Sequence, residues 1–586
     1  MLERVRPRID ALDLADRNLA EALAVYELEL ELDVLTSVLG LDEDTALDGV
    51  GRLDQDGLVR SRVAGPQTFV RLARPLDRTA LYRALDPERR AYLHGAFATA
   101  LEGHFGTTVT ATARVGEHWA RAGKAGRAYR RVVEGAATMR ERGHSAEAWE
   151  LTELADAYEE TARVDLDVEE FATARHLLLM VRADVLYLRA KWAAARTCLE
   201  QSVHLAESTG NERGAVRARM RLARVLRTAG HVDQADQLIT DHLPRARALG
   251  EREAIAEGLL ARAHIAWSRG DLDKVEQYAQ EGLLQAGTHH PRARADLLLA
   301  ATAVQAGRGQ LASAATGLHE AQTLYRDLRM HGMRANALAN LAEVELGQGD
   351  PVSAWEHGAD ALAETEAEGP GFEGAPGVGA RMIRGLAAME LGAWAEARAE
   401  LEGARTRATA MGLNGTLLSL AVHLARARLA QGEPAEALKV LSDPEGTFEK
   451  GDPERFLAVA AALRARAYTA LRDPTKARYW LAQAESMLAQ LPPQRRVEAA
   501  LDMARALERL GDAAGALPLA QSAARLAQTR GFRILYLDSV ALAARVAHDA
   551  AESNRLSREA QQGYAQILAR LPSMWQTTFR ARGGGA

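Results

Sequence analysis

The chain has 586 residues, 47% of them hydrophobic and 26% charged. That balance excludes a disordered chain and leaves room for several domains or one long repeat array. The formal net charge of −6 gives no global attraction to nucleic acid or to an anionic membrane, and an aromatic content of only 5% beside recurrent alanine points to an all-helical chain.

Cys198 is the single cysteine. This excludes an internal disulfide framework and a cysteine-based zinc site, and the residue reads as a buried apolar side chain in a helix. No basic-then-apolar leader opens the chain, and no apolar run approaches the ~20 residues a membrane helix needs. The expectation is a cytoplasmic protein with no membrane partner.

Residues 1–105 differ from the rest. Helical runs are expected over Arg17–Tyr26, Leu32–Leu39 and Asp42–Gln55, the last opened by acidic residues suited to a helix N-terminus and stopped by Gly57. Residues 58–63 and 68–72, around a turn at Gly65-Pro66, read as a β-hairpin. Three helices and a hairpin are the plan of a winged helix. The candidate recognition helix, Asp42–Gln55, sets Asp42, Glu43, Asp44, Asp48 and Asp54 against Arg52 alone, and residues 1–50 hold 13 acids and 4 arginines. A helix entering a major groove must lie against phosphates, so nucleic acid is disfavoured as a partner despite a basic wing of Arg60, Arg62, Arg71 and Arg74.

The run LDEDTALDGVGRLDQDGLVRS, followed by PLDRTALYRALDPERRAYLHGAFATALE, resembles the segment after the nucleotide-binding core of bacterial STAND-type signalling ATPases. These include the maltose-regulator-like activators and the kinase- or cyclase-fused predicted ATPases. Leu76, Arg78, Leu81, Tyr82, Arg89, Arg90 and His94 carry the likeness. It covers residues 15–140 well and the remainder in kind. Leu72 and Arg74 stand where that family usually has Phe-x-His. Those proteins carry a P-loop upstream. No G-x-x-x-x-G-K-[ST] occurs here, so there is no phosphate cradle, and the chain resembles the arm of such a protein without its motor.

From residue 106 onward the chain repeats. Turn positions fall at Gly123, Ala190, Gly230, Gly270, Gly309, Gly349, Gly392, Gly432, Arg472 and Gly511, with steps from Ala190 of 40, 40, 39, 40, 43, 40, 40 and 39. A fixed period of this kind marks a solenoid. Seven residues before each turn stand Ala183, Ala223, Ala263, Thr302, Ala342, Gly385, Ala425, Ala465 and Ala504. Five after it stand Ala195, Ala235, Val275, Ala314, Ala354, Ala397, Ala437, Ala477 and Ala516. A third set, twelve after it, runs from Ser202 through His242, Gly282, Ala321, Ala361, Ala404, Pro444 and Ala484 to Ala523. Small residues here let the two helices of a unit touch closely. The spacing is similar to that of tetratricopeptide repeats, with a period near 40 against ~34 for the common form, as in the arrays of STAND regulators. An extra turn at Gly143 adds a helix at the start. The implied architecture is an all-α, right-handed tetratricopeptide-like superhelix (an α-solenoid) of about ten units over 106–548. The winged-helix-like module precedes it (1–105), and capping helices and a tail follow it (549–586).

Two stretches interrupt the array. Gly369–Gly379 reads as a long loop or hinge; its G-x-G-x-x-G at 369, 371 and 374 follows a helix where a dinucleotide site needs a strand. Ser442–Glu454 reads as a second loop. Asp549–Leu571 reads as a last helical pair, and Trp575–Arg582 as a short tail before a frayed Gly583–Gly585.

Catalytic patterns are absent. There is no H-E-x-x-H, no G-x-S-x-G and no calcium loop, and adjacent His289 and His290 cannot easily face one metal. No cofactor is expected. What remains is the concave surface lined by the first helix of each unit. The residue after each seven-before-turn position points inward: Asp184, Arg224, His264, Ala303, Glu343, Leu386, Arg426, Arg466 and Arg505. One turn earlier lie Arg217, Glu257, Asp296 and Asn336. The candidate partner-binding residues are therefore Arg217, Arg224, His264, Asn336, Asn340, Glu343, Arg426, Arg466 and Arg505. The arginines would face acidic groups of a protein or peptide partner, and the asparagines would hold its backbone. The expected function is a non-enzymatic interaction scaffold or sensor arm in bacterial signalling. A DNA-binding regulator acting through the winged helix, and a subunit of a split STAND ATPase working with a separate ATPase or kinase chain, are the alternatives.

Overall fold

The structure is a computed structural model that describes residues 7–104, 108–189, 191–367, 375–411, 413–442 and 456–584. It is an all-α solenoid apart from one small sheet near the N-terminus. Contacts gather the chain into two units, Met1–Ala261 and Arg262–Ala586.

The first unit opens with α1 (Leu14–Val25), β1 (Leu30–Glu31), α2 (Leu32–Leu39) and α3 (Glu43–Gln55), followed by β2 (Val59–Ala64) and β3 (Gln67–Leu72). Asp13 caps α1 by accepting from the Asp16 amide, and Asp42 caps α3 by accepting from the Thr45 amide, each satisfying a donor the helix start leaves open. The hairpin pairs Val59 with Leu72 and Ala64 with Gln67. β1 adds to its free edge, giving the order β1-β3-β2 with all pairs antiparallel. β1 has two residues, too few for any alternation to show in the sequence. Leu19, Leu23, Leu35, Leu53, Leu58 and Val70 close the core beneath the sheet. α1 and α3 meet at Gly49, where a methyl group would overlap Leu19.

The array follows as successive helical hairpins. Ala125–Glu141 packs on Ser145–Asp165, His331–Gln348 on Pro351–Ala367, and Pro493–Arg509 on Ala513–Arg530. First helices of adjacent units also touch, so each hairpin is buried by its neighbours, as in a solenoid. The register residues explain the spacing. Ala195, Ala235, Ala314, Ala354, Ala397, Ala437, Ala477 and Ala516 are all fully buried, as are Ala223, Ala263, Ala342, Ala425, Ala465 and Ala504. At Gly385 a methyl group would strike Leu401 of the facing helix. His242 departs from the set and is only half-buried.

Four hairpin turns share one device. A residue in the left-handed region is followed by an aspartate that caps the next helix: Asp271 accepts from Lys274, Asp350 from Ser353, Asp473 from Lys476 and Asp512 from Gly515. Glycine holds the left-handed position at 349 (φ 81°) and 511 (φ 79°), but Arg472 holds it at φ 61°. A side chain there costs roughly 1–2 kcal/mol, of which glycine gives back part through its freer unfolded chain. Arg472→Gly is therefore expected to stabilise the second unit by about 0.5–1 kcal/mol, read as an upward shift of the urea midpoint at unchanged slope.

Three expectations change. Residues 375–379, expected as loop, open the helix Ala375–Glu390; residues 369–374, with the G-x-G-x-x-G, lie outside the described residues, as do turn position Ala190 and 443–454 of the second interruption. In place of a last helical pair over Asp549–Leu571 there is one helix, Ala550–Leu568. The expected tail Trp575–Arg582 lies within a helix, Ser573–Gly584, whose Trp575 and Phe579 are 8% and 4% exposed. Two aromatic side chains four residues apart fall on one helical face, and their burial, rather than helix propensity, holds this short segment.

Candidate binding groove

In the first unit, the inward-facing charges form a closed cluster. Asp184 is buried and receives Arg224 at 2.7 Å, Arg221 at 3.0 Å and Arg140 at 3.0 Å. Arg224 also lies 3.5 Å from Glu257 and stacks over the Tyr187 ring. Burial pushes the Glu257 carboxyl up, against the pull of Arg221 and Arg224. Arg217 pairs with Glu251 at 2.6 Å, one unit further along.

In the second unit, Arg426, Arg466 and Arg505 converge on Asp502, at 3.0, 2.6 and 3.6 Å. Arg505 reaches on to Asp538 at 3.3 Å, and Arg582 bridges Asp538 (3.1 Å) and Glu390 (2.7 Å). Glu498 adds a carboxylate 3.6 Å from Arg426. Burial alone would raise the Asp502 pKa; the three guanidiniums outweigh it and hold the carboxyl below its usual range. Desolvation among like charges brings Arg466 down to about 10, still charged at neutral pH. The carboxylates these arginines meet belong to the chain itself. The concave face is crossed here by intramolecular ion pairs, because Pro493–Arg509 presents Asp502 to arginines of Asn414–Ala430 and Leu457–Ala470, while Asp538 of Arg533–Val546 meets Arg505.

Elsewhere in the second unit the concave face is open. A cleft of about 430 Å³ lies between the helices Pro291–Gly307, Leu311–Asp327 and His331–Gln348 on one side and Pro492–Arg495 with Phe532 on the other. Its walls are mainly apolar (Trp267, Ala303, Leu311, Leu318, Val344, Pro492, Pro493 and Phe532), with Thr302, Gln494 and Arg495 among them. Asn340 and Glu343, three residues apart on one helix and so on one face, point into it. Asn340 is half-buried, and among the described residues its amide has no protein partner; Glu343 is exposed. Asn336, one turn earlier, and His264 are half-buried and do not line this cleft. Of the nine candidate residues, then, Asn340 and Glu343 share a cavity, Arg426, Arg466 and Arg505 share an ion-pair network, and Arg217, Arg224, His264 and Asn336 stand apart from both.

Sequence reasoning missed Asp502, Glu498, Asp538, Glu390 and Arg582. One signal was available: Glu498 and Asp502, four apart, interrupt an otherwise apolar run from Val497 to Ala504, which places two acids on a buried face. Cys198, expected buried, is partly exposed, and burial pushes its thiol pKa up. Among the described residues no helix is long and apolar enough to cross a membrane, and no group of three or more His, Cys, Asp or Glu side chains is placed to hold a metal.

No family model and no curated protein matches the chain. Among solved structures, the chain is similar to a STAND protein with a tetratricopeptide repeat sensor from Pyrococcus horikoshii. That match has 14% identity and a TM-score of 0.38, and covers 83% of this chain and 66% of that one. It is also similar to a Rap protein complexed with competence and sporulation factor (12%, TM-score 0.45, 61% and 98%) and to yeast Tom70 (13%, TM-score 0.28, 71% and 100%). The chain thus spans just under two thirds of the STAND protein's length.

Proposed function

We propose that this protein is a non-enzymatic interaction module that holds a peptide segment of its partner in the cleft of the second unit. The observation that carries the reading is the Asn340 amide: half-buried, without a partner among the described residues, and set in a cavity with mainly apolar walls. A carboxamide offers one acceptor and two donors, enough to bond an extended backbone. A volume of about 430 Å³ suits one or two apolar side chains, within the range of ordinary ligand sites. Glu343 and Arg495 both line the cleft, so it carries charges of both signs. The arginine network is a frame for this site rather than a second one.

The test is a peptide-display selection on the intact protein. Selected peptides are expected to lose roughly tenfold in affinity on Asn340→Ala, the worth of about one hydrogen bond. Binding should be abolished on Ala303→Trp, which fills the cavity. Peptides that bind both variants as tightly as the parent would rule the cleft out.

The N-terminal order of three helices and a hairpin, with β1 closing a three-stranded sheet, supports a winged-helix reading of residues 1–105, and we take 106–548 as the array and 549–586 as its cap. DNA binding through the module is disfavoured by the fate of its arginines. Arg52 is held by both Asp16 oxygens (3.0 and 2.6 Å) and Arg62 by both Glu29 oxygens (2.8 and 2.5 Å). No salt-dependent shift of duplex DNA is expected from the intact protein; a shift lost on Arg60→Glu/Arg71→Glu would reverse this. A bacterial signalling role beside a separate ATPase or kinase chain fits the resemblance of residues 15–140, and co-purification with a neighbouring P-loop protein would support it.

A further inference from the structure

We propose that the final helix, Ser573–Gly584, occupies a helix-binding groove of the second unit as an exchangeable self-ligand, and that the groove's external partner is an amphipathic helix with the pattern aromatic-x3-aromatic-x2-Arg. This groove is separate from the peptide cleft and does not rest on that reading.

The helix is held by three side chains on one face, Trp575, Phe579 and Arg582, at positions i, i+4 and i+7. Trp575 meets Trp355 edge-on with ring centres 5.5 Å apart, and Phe579 meets Tyr564 at 6.3 Å. Leu537 and Ile567 complete the apolar floor. Arg582 reaches Glu390 and Asp538 together. This is the helix-in-groove mode of recognition: apolar anchors spaced by turns, with a charge that fixes direction. The backbone comes close as well. At Gly392 (φ 76°) a methyl group would collide with the Thr578 carbonyl, so the turn approaches the helix as only glycine allows.

Three features make this segment a ligand rather than a fixed repeat. Its other face is open to solvent, with Met574 70% exposed and Thr577, Arg580 and Ala581 exposed. It has 12 residues, a length at which an isolated helix is marginal in water, so its order comes from docking. The groove is also partly satisfied without it: Asp538 keeps Arg505 at 3.3 Å and accepts from the Tyr564 hydroxyl at 2.5 Å. Trp355 keeps the Arg384 guanidinium 4.1 Å over its ring. A vacated groove is therefore a prepared surface, acidic at one end and aromatic at the other, complementary to the segment that left it.

The experiment uses the full chain carrying Phe579→Asp, which ejects the helix, and a fluorescein-labelled peptide of residues 571–584 followed by anisotropy. The variant is expected to bind the peptide saturably, at least thirtyfold more tightly than the parent protein, whose groove is already filled. An Arg582→Glu peptide, and Trp355→Ala added to the variant, should each weaken binding at least tenfold, while Arg580→Glu in the peptide should not. A Phe579→Asp protein that keeps its helical circular dichroism and melting cooperativity yet binds no peptide overturns the proposal. So does one that fails to fold, since the helix is then a permanent part of the core. A parent protein that forms dimers by exchanging this helix also overturns it, in favour of a second copy as the occupant.

Discussion

Lowering the pH from 7.5 to 4.5 is expected to cost the N-terminal unit on the order of 3–5 kcal/mol, because it buries two histidines that touch. His94 is fully buried and His118 is 7% exposed. Their Nδ1 atoms lie 2.9 Å apart, so one donates and the other accepts, and a proton on both would set two N–H groups against each other. The His94 Nε2 lies 3.0 Å from the Tyr82 hydroxyl, and His118 stacks on Tyr26 and packs on Phe97. Burial, aided by Arg121 and Arg90, brings His94 down to about 4. Burial, then His94 and Arg121 and Arg114, brings His118 down to about 3, with only Glu27 pulling the other way on His94. The folded values lie below the unfolded value near 6.5. The pair's contribution is therefore fully present above pH 6.5 and is lost as the pH falls toward 4 and 3, since the unfolded chain takes up protons that the folded chain refuses. Urea unfolding at a series of pH values checks this. The parent should show a steep decline below pH 6.5, and His94→Gln/His118→Gln a shallower one. The slope should not vanish, because burial also lowers His176 and His242 in the same unit. Equal slopes in both proteins would mean that the pair titrates normally.

The array was legible from its alanines, and for a physical reason. Where two helices touch, side-chain volume at the contact is fixed, so Ala223, Ala342 or Ala516 must be small whatever surrounds them, and such positions recur with the period of the fold. Arg472 was placed by its interval alone, with the wrong residue type for its backbone. Charges obey no such rule. The register put Arg426, Arg466 and Arg505 on the concave face, but their partners stand 76, 36 and 33 residues away, on Asp502 and Asp538, and a local pattern carries no information about which unit supplies the acid. The final helix shows the same limit. Trp575 and Phe579 are two isolated aromatics in a polar tail until Tyr564 of the preceding helix and Trp355, from a unit far earlier in the chain, are brought opposite them. The open cleft was half legible: Asn340 and Glu343 follow from the helical face, whereas Pro492, Arg495 and Phe532 enter only because later helices close against earlier ones.

Removing Asp502 is expected to be the most damaging single change in the second unit. The carboxylate is 1% exposed and carries three arginines whose side chains are 17–26% exposed. Two of them have somewhere else to go: Arg426 keeps Glu498 at 3.6 Å, and Arg505 keeps Asp538 at 3.3 Å. Arg466 has its hydrogen bond to Asp502 at 2.6 Å, and Arg505 and Arg426 are like charges beside it. Asp502→Ala therefore leaves a guanidinium desolvated among cations, a situation that costs about 3–5 kcal/mol when one partner of a buried pair is deleted. Truncation also leaves a small cavity, a minor addition. The cost resides in the stranded charge rather than in the lost pair, and the two can be separated. Replacing the couple together, as Asp502→Leu/Arg466→Met, puts apolar groups of similar size where two charges were buried. It should recover most of the stability lost in Asp502→Ala, since such exchanges are often neutral. Arg466→Met alone should cost less than Asp502→Ala, because Asp502 then still holds Arg426 and Arg505. Urea midpoints for the three variants measure the coupling directly. If the double variant is as unstable as Asp502→Ala, the network serves to hold the helices Asn414–Ala430, Leu457–Ala470 and Pro493–Arg509 in register, and its value lies in geometry that leucine and methionine cannot supply.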